Sequence, residues 1–512
     1  MRKEEPYLLA CDLGTGGNKA SLYTVEGALR ASTFESYETL YPAPSFHEQR
    51  PADWWNAVIA STRRLLEQSG VAPKNVRAIA LSGHSLGCVP LDGEGNLLLE
   101  ATPIWSDSRA SREAVRFFQK EEEETWYQTT GAGFPPAHYT LFKLLWYREN
   151  LPEVFQKMAQ FVGTKDYINY QLTGHIATDY SYASGTGAYS LREWRYSDSI
   201  LEKSGLSRSI FPEIVPSTQV LGNLTPKAAA LLGLTTDTVV VAGGVDNSCM
   251  ALGAKCFRSG RCYASLGSSS WIAVSDSKPL LDNQFRPYVF THVVPQQFAS
   301  AIGVFSTGTT LKWVLHQFCR NLLEEAKQTG ENPYGRMMRC AERSPVGANG
   351  LILNPTFAGG SSLEPSRKMR GGLLGLDLSH TQNDVVRATL EGIAMNLRKA
   401  LDALGNLTPL RERIVLVGGG AISPIWRRIY ADVFHRTVEK TSIDQEAAAL
   451  GAAALAAVGT GLWEDFSPID TIPQTEEILE PVEENACFYE KRMPLFLRTA
   501  EMLSELGESI LK

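Results

Sequence analysis

The sequence predicts an α/β protein built from two domains. Three observations carry that reading. Short β-branched runs that read as buried strands alternate with stretches of helical periodicity. A strand, a Gly-rich turn and a second strand follow one another once in each half, from Tyr7 to Val25 and from Cys262 to Val274. Near the middle of the chain, Val239 to Asn247 reads V-V-V-A-G-G-V-D-N. That is a buried strand ending in a small-residue turn that presents one carboxylate, Asp246. A length of 512 residues allows two to four domains and an ample core.

The first strand, Tyr7 to Leu13, runs into D-L-G-T-G-G-N-K at Asp12 to Lys19, and Ala20 to Val25 follows as the second strand. Gly14, Gly16 and Gly17 let backbone N–H groups approach anionic oxygens, and Thr15 and Asn18 add donors. Asp12, at the strand end, can hold Mg²⁺ directly or through water. The alternative is a plain hairpin turn. A dinucleotide fingerprint is excluded because Lys19 stands at its last glycine position and a strand follows; a Walker A loop is excluded because G-K-[ST] is absent.

Trp54 to Gln68 has helical periodicity, with Asp53 as its expected N-cap. Val76 to Ser82 is a buried strand that ends in S-G-H-S-L-G. Loops after strand ends are where α/β sheets bind ligands, so His84 and Ser85 are candidate substrate contacts. A satisfied structural histidine is the competing reading of His84. In P-I-W-S-D-S-R, Trp105 can stack on a small ligand and Asp107 can accept hydroxyls, or Asp107 and Arg109 simply pair with each other. Thr140 to Asn150 reads as an amphipathic helix, and Ala177 to Gly187 as an ordered loop near a site.

In the second half the turn is Gly267-Ser268-Ser269-Ser270. Ser306 to Trp313 opens a helix whose small first residues leave room for a nucleotide and whose end favours anions. Asn383 to Leu404 is a core helix with a capping box from Thr381 and Asp384. Arg413 to Ala421 is a buried strand running into a triple glycine, a shape that suits an adenosine pocket because no side chain blocks the ring. Asp444 to Gly459 is Ala-rich, as a tight helix contact requires. Asn485 to Lys512 closes the chain as a helix or helix pair.

Lys and Arg number 49 against 56 Asp and Glu, a net charge of −7, and no basic block appears. Nucleic acid and anionic membrane are therefore not expected partners. Glu121 to Glu124 reads as a solvated helix face. The eight cysteines form no C-x-x-C pair, which argues against zinc. With no leader and no 18-residue apolar run, a reducing, cytoplasmic setting is expected.

Two hairpin turns facing one nucleotide across a cleft is the arrangement of actin-like ATPases. The chain resembles the FGGY family of carbohydrate kinases over nearly its whole length. The motifs are D-L-G-T-G-G-N-K at Asp12, G-G-V-D-N-S-C-M-A-L-G at Gly243, L-G-S-S-S-W at Leu266, R-A-T-L-E-G-I-A at Arg387, V-G-G-G-A-I-S-P-I-W at Val417 and E-A-A-A-L-G-A-A at Glu446. The resemblance implies two ribonuclease H-like (actin-like ATPase) domains around a central cleft. The implied spans are 6–245, mainly sugar-binding, 246–465, mainly ATP-binding, and a helical extension over 466–512.

By this resemblance Asp246 is the catalytic base that takes the proton from a sugar hydroxyl as it attacks the γ-phosphorus of ATP. Asp12 serves Mg²⁺. Gly14, Thr15, Gly16, Gly17 and Asn18, with Gly267, Ser268 and Ser269, hold the phosphates. Gly308, Lys312, Gly419, Gly420 and Ser423 match adenosine-side positions. The sugar falls to His84, Ser85, Trp105, Asp107, Asp246 and Asn247.

Ser82-Gly83-His84-Ser85 stands where glycerol kinases carry Arg-Glu, which disfavours glycerol. Xylulose kinases show S-G-Q-M-H-G where this chain has S-G-H-S-L-G, and F-A-G-G-S-S-L-E-P-S-R at Phe357 replaces the usual G-E-R-x-P loop. W-S-D-S-R at Trp105 and K-D-Y…L-T-G at Lys165 are similar to the xylulose kinases. The expected substrate is a pentulose such as xylulose. Another ketose, a polyol, a hydroxylated signalling molecule or a non-catalytic nucleotide-binding regulator are the alternatives. A homodimer is compatible with the sequence.

Overall fold

The computed structural model describes residues 5–510. The chain divides into two compact units. The first takes the chain up to Ser259, then Ser275–Ser300 and Glu446–Pro473; the second takes Gly260–Val274, Ala301–Gln445 and the chain from Gln474 onward.

The sheet of the first unit is built from β1 (Tyr7–Gly14), β2 (Gly17–Thr24), β3 (Leu29–Ser36), β4 (Val76–Gly83), β5 (Val220–Asn223) and β6 (Val239–Val245), in the order β5-β6-β4-β1-β2-β3. β1, β4 and β6 run parallel, and the hairpin partner β2 is antiparallel to β1. Helix α1 (Pro51–Ser69) packs across β2 and β3. Its N-cap is Arg50, not the expected Asp53, because Pro51 supplies a fixed φ and no N–H at the first helical position. Asp53 lies in the first turn, 3.7 Å from Arg50. Further along come α2 (Thr140–Asn150), α3 (Thr164–Thr173), α4 (Tyr180–Ser184) and α5 (Asp246–Gly253). The stretch expected to be a loop, Ala177 to Gly187, thus contains a short helix, N-capped by the Asp179 carboxylate.

The Ala-rich helix Ala447–Gly459 belongs to the first unit and lies against α5, β1, β4 and β6. The reason is steric. A Cβ on Gly253 would sit 1.9 Å from Ala447 O, and one on Gly451 would sit 2.0 Å from Cys249 O, so the two backbones touch. Only glycine at both crossing points permits that contact.

The second unit repeats the hairpin plan. Strand β7 (Cys262–Leu266) pairs antiparallel with β8 (Ser270–Asp276) and parallel with β9 (Arg413–Val417). Strands β10 (Thr437–Thr441) and β11 (Thr475–Leu479) extend it in the order β8-β7-β9-β10-β11. Helices α6 (Gly308–Phe318), α7 (Gln382–Gly405), α8 (Pro424–Phe434) and α9 (Glu483–Ile510) complete the elements used below. α7 carries the expected capping box, and α9 is one helix with Pro494 inside it. Among the described residues no helix is long and apolar enough to cross a membrane. Seven of the cysteines are buried, Cys487 is exposed, and all are free thiols.

Candidate active site

The carboxyl ends of β1, β4 and β6 lie side by side. Asp12 pairs in register with Ser82, which also pairs with Gly244; one step on, Gly83 pairs with both Leu13 and Val245. Asp12 and Asp246 therefore flank the end of the central strand β4, at the edge where parallel sheets place ligands. Asp246 opens α5, and Asn247 N–H donates to its Oδ1 at 2.8 Å. Ser82 Oγ donates to Asp12 Oδ1 at 2.8 Å.

Both carboxyls are half-buried and both are pushed above the ordinary carboxylate range. Burial is the main cause for each. Asp246 reaches about 7, with the negative charge of Asp12 as the second cause and the Asn247 N–H opposing. For Asp12 the Ser82 hydroxyl and the Lys19 ammonium oppose the rise. Lys19 stands opposite Asp12 on β2, with its Nζ 3.5 Å from Glu446 Oε1. A carboxylate that resists ionisation until near neutrality is suited to accepting a proton from a hydroxyl.

The Gly-rich turn between β1 and β2 is two residues, Thr15 and Gly16, both exposed. Gln49 Nε2 donates to Thr15 O at 2.7 Å, and Trp105 Nε1 donates to Thr15 Oγ1 at 2.9 Å. Gly17 is required by packing, because a Cβ there would sit 2.4 Å from Glu35 O. Asn18 corrects the expectation for this turn. It lies in β2, fully buried, and its Nδ2 donates to Ser61 Oγ of α1 at 2.8 Å. Strand alternation turns it to the α1 face, so its side chain serves the core and not the turn.

The two loops after β4 are tied down from α2. Lys143 Nζ donates to Leu86 O at 2.8 Å and to Ile104 O at 2.7 Å; Thr140 and Tyr147 hydroxyls donate to Gly87 O and Cys88 O. His84 is buried against the Trp54 ring, with Thr164 Oγ1 3.1 Å from its Nδ1. Burial, then the Lys143 charge, lowers its pKa to about 4. This is the geometry of a satisfied core histidine, held neutral. Ser85 is also buried. Trp105 keeps an exposed face, while Asp107 is fully buried, its oxygens taken by the Arg109 guanidinium at 2.7 to 3.0 Å and by His47 N–H. Asp107 and Arg109 thus form the pair that the sequence left as the alternative.

In the second unit the candidate residues gather around the end of β7. A Cβ on Gly308 would sit 2.7 Å from Gly267 O, and one on Gly420 would sit 2.8 Å from Leu266 Cβ. Gly267 and Ser268 are exposed, Ser269 half-buried, and Gly419 has open space around its Cα. The Ser423 hydroxyl caps α8 by accepting Trp426 N–H at 3.3 Å. The N-terminus of α6 departs from expectation. Its first N–H groups, on Thr307, Gly308 and Thr309, donate to Gly267 O and Ser268 O. The helix end is capped by the turn itself. Lys312 is exposed one turn along. Beside α6 a cavity of 510 Å³ is lined by Ser306, Thr309, Thr310, Trp313, Phe357 and Arg370.

The sequence matches the model of the FGGY family of carbohydrate kinases, N-terminal domain, over residues 7–253 and the C-terminal domain over residues 262–460. The chain belongs to the FGGY family of carbohydrate kinases. It is a sugar kinase, with ATP and a sugar as its substrates. A xylulose kinase of Bacillus subtilis is 31% identical over 486 residues, 95% of this chain and 93% of the relative. A gluconokinase of the same organism is 28% identical over 502 residues, 97% and 96% of the two chains. The structure of a ligand-bound xylulose kinase from Lactobacillus acidophilus superposes with a TM-score of 0.89 at 25% identity, covering 99% of this chain and 100% of that one. The fold is that of the actin-like ATPases.

This FGGY kinase uses residues that sequence patterns did not single out. Gln49 fixes the Thr15 backbone from 34 positions away, a contact with no local signature. Lys143 had one signal, a lone charge in the apolar run L-F-K-L-L-W.

Proposed function

We propose that this chain phosphorylates a pentulose, xylulose being the first candidate, with Asp246 as general base. The observation that carries the substrate is the likeness to the B. subtilis xylulose kinase across nearly both whole chains. Asp246 takes the proton from the acceptor hydroxyl. That oxygen attacks the γ-phosphorus of ATP, the bond from the γ-phosphorus to its bridging oxygen breaks, and ADP leaves. Positioning and charge neutralisation do most of this work.

Asp12 fits a divalent cation. One of its oxygens is held by Ser82, and its negative charge raises the cost of ionising Asp246, a repulsion that a cation relieves. Mg²⁺ is commonly held by one or two carboxylates plus substrate phosphates, and when bound it neutralises phosphate charge. Thr15 and Gly16 offer exposed backbone and hydroxyl donors to phosphate in the first unit; Gly267, Ser268 and Ser269 do so in the second. Gly308, Lys312, Gly419, Gly420 and Ser423 frame the adenosine side; the open space beside Gly419 leaves room for the ring, while Gly308 and Gly420 let the backbone pack closely around it. The exposed face of Trp105 is the sugar contact that this geometry favours, and Asn247, beside Asp246, is carried as a second by the family resemblance. Eight thiols without a disulfide support a cytoplasmic setting.

The test is ADP release from Mg-ATP with xylulose, ribulose, fructose, gluconate, glycerol and a no-sugar control. Stimulation by xylulose is expected to exceed every other arm at least tenfold. Gluconate is included because a relative of 28% identity bears that activity in its name. A gluconate maximum replaces the pentulose reading, and no stimulation by any arm returns weight to the regulator.

A further inference from the structure

The turn that carries Asp246 is held from beneath by a buried polar bracket. At its base Lys165, Asp166 and Asp179 have fully buried side chains. Lys165 Nζ lies 2.5 Å from Asp166 Oδ1 and 2.9 Å from Asp179 Oδ1, and donates to Ala242 O of β6 at 3.3 Å. Asn169 Nδ2 donates to the same carbonyl at 2.8 Å. Asp179 caps α4, and its Oδ2 accepts the hydroxyls of Ser181 at 2.5 Å and Ser217 at 2.7 Å. Ser181 Oγ then accepts the Val245 N–H at 2.9 Å. Val245 is the residue before Asp246.

The same short helix reaches α5 by a second route. Ser184 Oγ accepts Thr291 N–H at 3.0 Å, and Ser248 of α5 donates to Thr291 O at 3.0 Å. A buried hydroxyl is oriented when its proton is committed elsewhere, and the Asp179 carboxylate commits the Ser181 proton. The Ser181 lone pairs are left facing the Val245 amide.

We propose that Ser181 is a positioning residue for the phosphoryl transfer, holding the Val245 amide and through it the direction of the Asp246 carboxylate. The proposal rests on Asp246 being the base. Ser217 supplies a matched control. It donates to the same Asp179 oxygen, is also buried, and does not touch the Val245 amide. Loss of its hydroxyl disturbs Asp179 alone.

The experiment compares Ser181→Ala, Ser217→Ala and Asp246→Asn in the full chain, by steady-state kinetics with each substrate varied and by thermal unfolding. Ser181→Ala is expected to lose 10- to 100-fold in kcat, with both KM values moving less than threefold. Ser217→Ala is expected to match its loss of Tm and keep kcat within threefold. Equal kcat losses in the two serine variants, or none in Ser181→Ala, overturn the positioning role alone. Retained turnover in Asp246→Asn overturns the base reading and the positioning role with it. If Ser181→Ala does not fold, Ser181→Cys keeps the shape with a weaker acceptor, and an unchanged kcat there overturns the proposal.

Discussion

Trp105 Nε1 donates to Thr15 Oγ1 at 2.9 Å, joining a loop read for the sugar to a turn read for phosphate. Ninety positions separate the two residues in sequence. The bond leaves the Thr15 proton to donate elsewhere and keeps one face of the indole exposed. A neutral hydrogen bond of this kind is worth about 0.5–1.5 kcal/mol. Trp105→Phe keeps most of the ring face and removes the donor. It is expected to raise the KM of both sugar and ATP by about 2- to 10-fold, read with each substrate varied in turn. A change confined to the sugar would mean that the bond does not couple the loop to the turn.

Asp246 predicts the shape of the pH profile. Its carboxyl is raised to about 7 by burial and by Asp12. As the proposed base it acts when deprotonated, so kcat is expected to fall as pH drops through about 7, well above the usual carboxylate range. The stability effect has the opposite direction. The folded pKa exceeds the ordinary value of 3.8, so between 3.8 and 7 the folded state binds more protons and rising pH costs stability. Asp246→Asn should remove both effects and lower turnover by about 10²–10⁴-fold. A kcat profile that is flat from pH 8 to 5 in the native enzyme would rule out Asp246 as the titrating base.

His84 and His292 make the first unit acid-sensitive. Both are buried, and burial holds both at about 4, below the ordinary 6.5. Between those values the unfolded chain binds more protons, so stability falls as pH drops through 6.5 toward 4. Each tenfold loss of proton affinity on folding corresponds to about 1.4 kcal/mol at most. Asp246 works against this fall, so the test is made in the Asp246→Asn background: calorimetry from pH 6.5 to 4.5 should show Tm falling, and adding His84→Gln should flatten the slope. An identical slope in that variant would place the acid sensitivity elsewhere.

Asn18→Ala separates the core from the turn. The Asn18 amide bonds Ser61 inside the sheet–helix interface. Its loss is expected to cost about 1–3 kcal/mol of stability, the range for orphaning a buried partner. The KM for ATP should stay within about twofold. A KM rise of tenfold with unchanged Tm would return Asn18 to phosphate binding.

Much of the fold was legible because its signals are local. Val239 to Val245 announces a buried strand by β-branching, and Thr381 and Asp384 announce a helix start by a three-residue spacing. The two strand–turn–strand units were visible as glycine and serine between apolar runs. The order of these features along the chain then pointed to the family.

The sequence by itself therefore determined the family, the residue types that can do the chemistry and most of the elements, the short helix Tyr180–Ser184 excepted. Tertiary structure alone decided which of them face a ligand. Asn18 and His84 have the right chemistry in the right motif, yet strand parity and burial turn both into the core. Asp107 is claimed by Arg109, and the Ala447–Gly459 helix crosses to the first unit because two glycines let backbones touch. Lys143, Gln49 and Ser181 enter only through contacts made between positions 34 to 64 residues apart. Such contacts depend on packing, and packing is a property of the folded chain rather than of any short stretch of it.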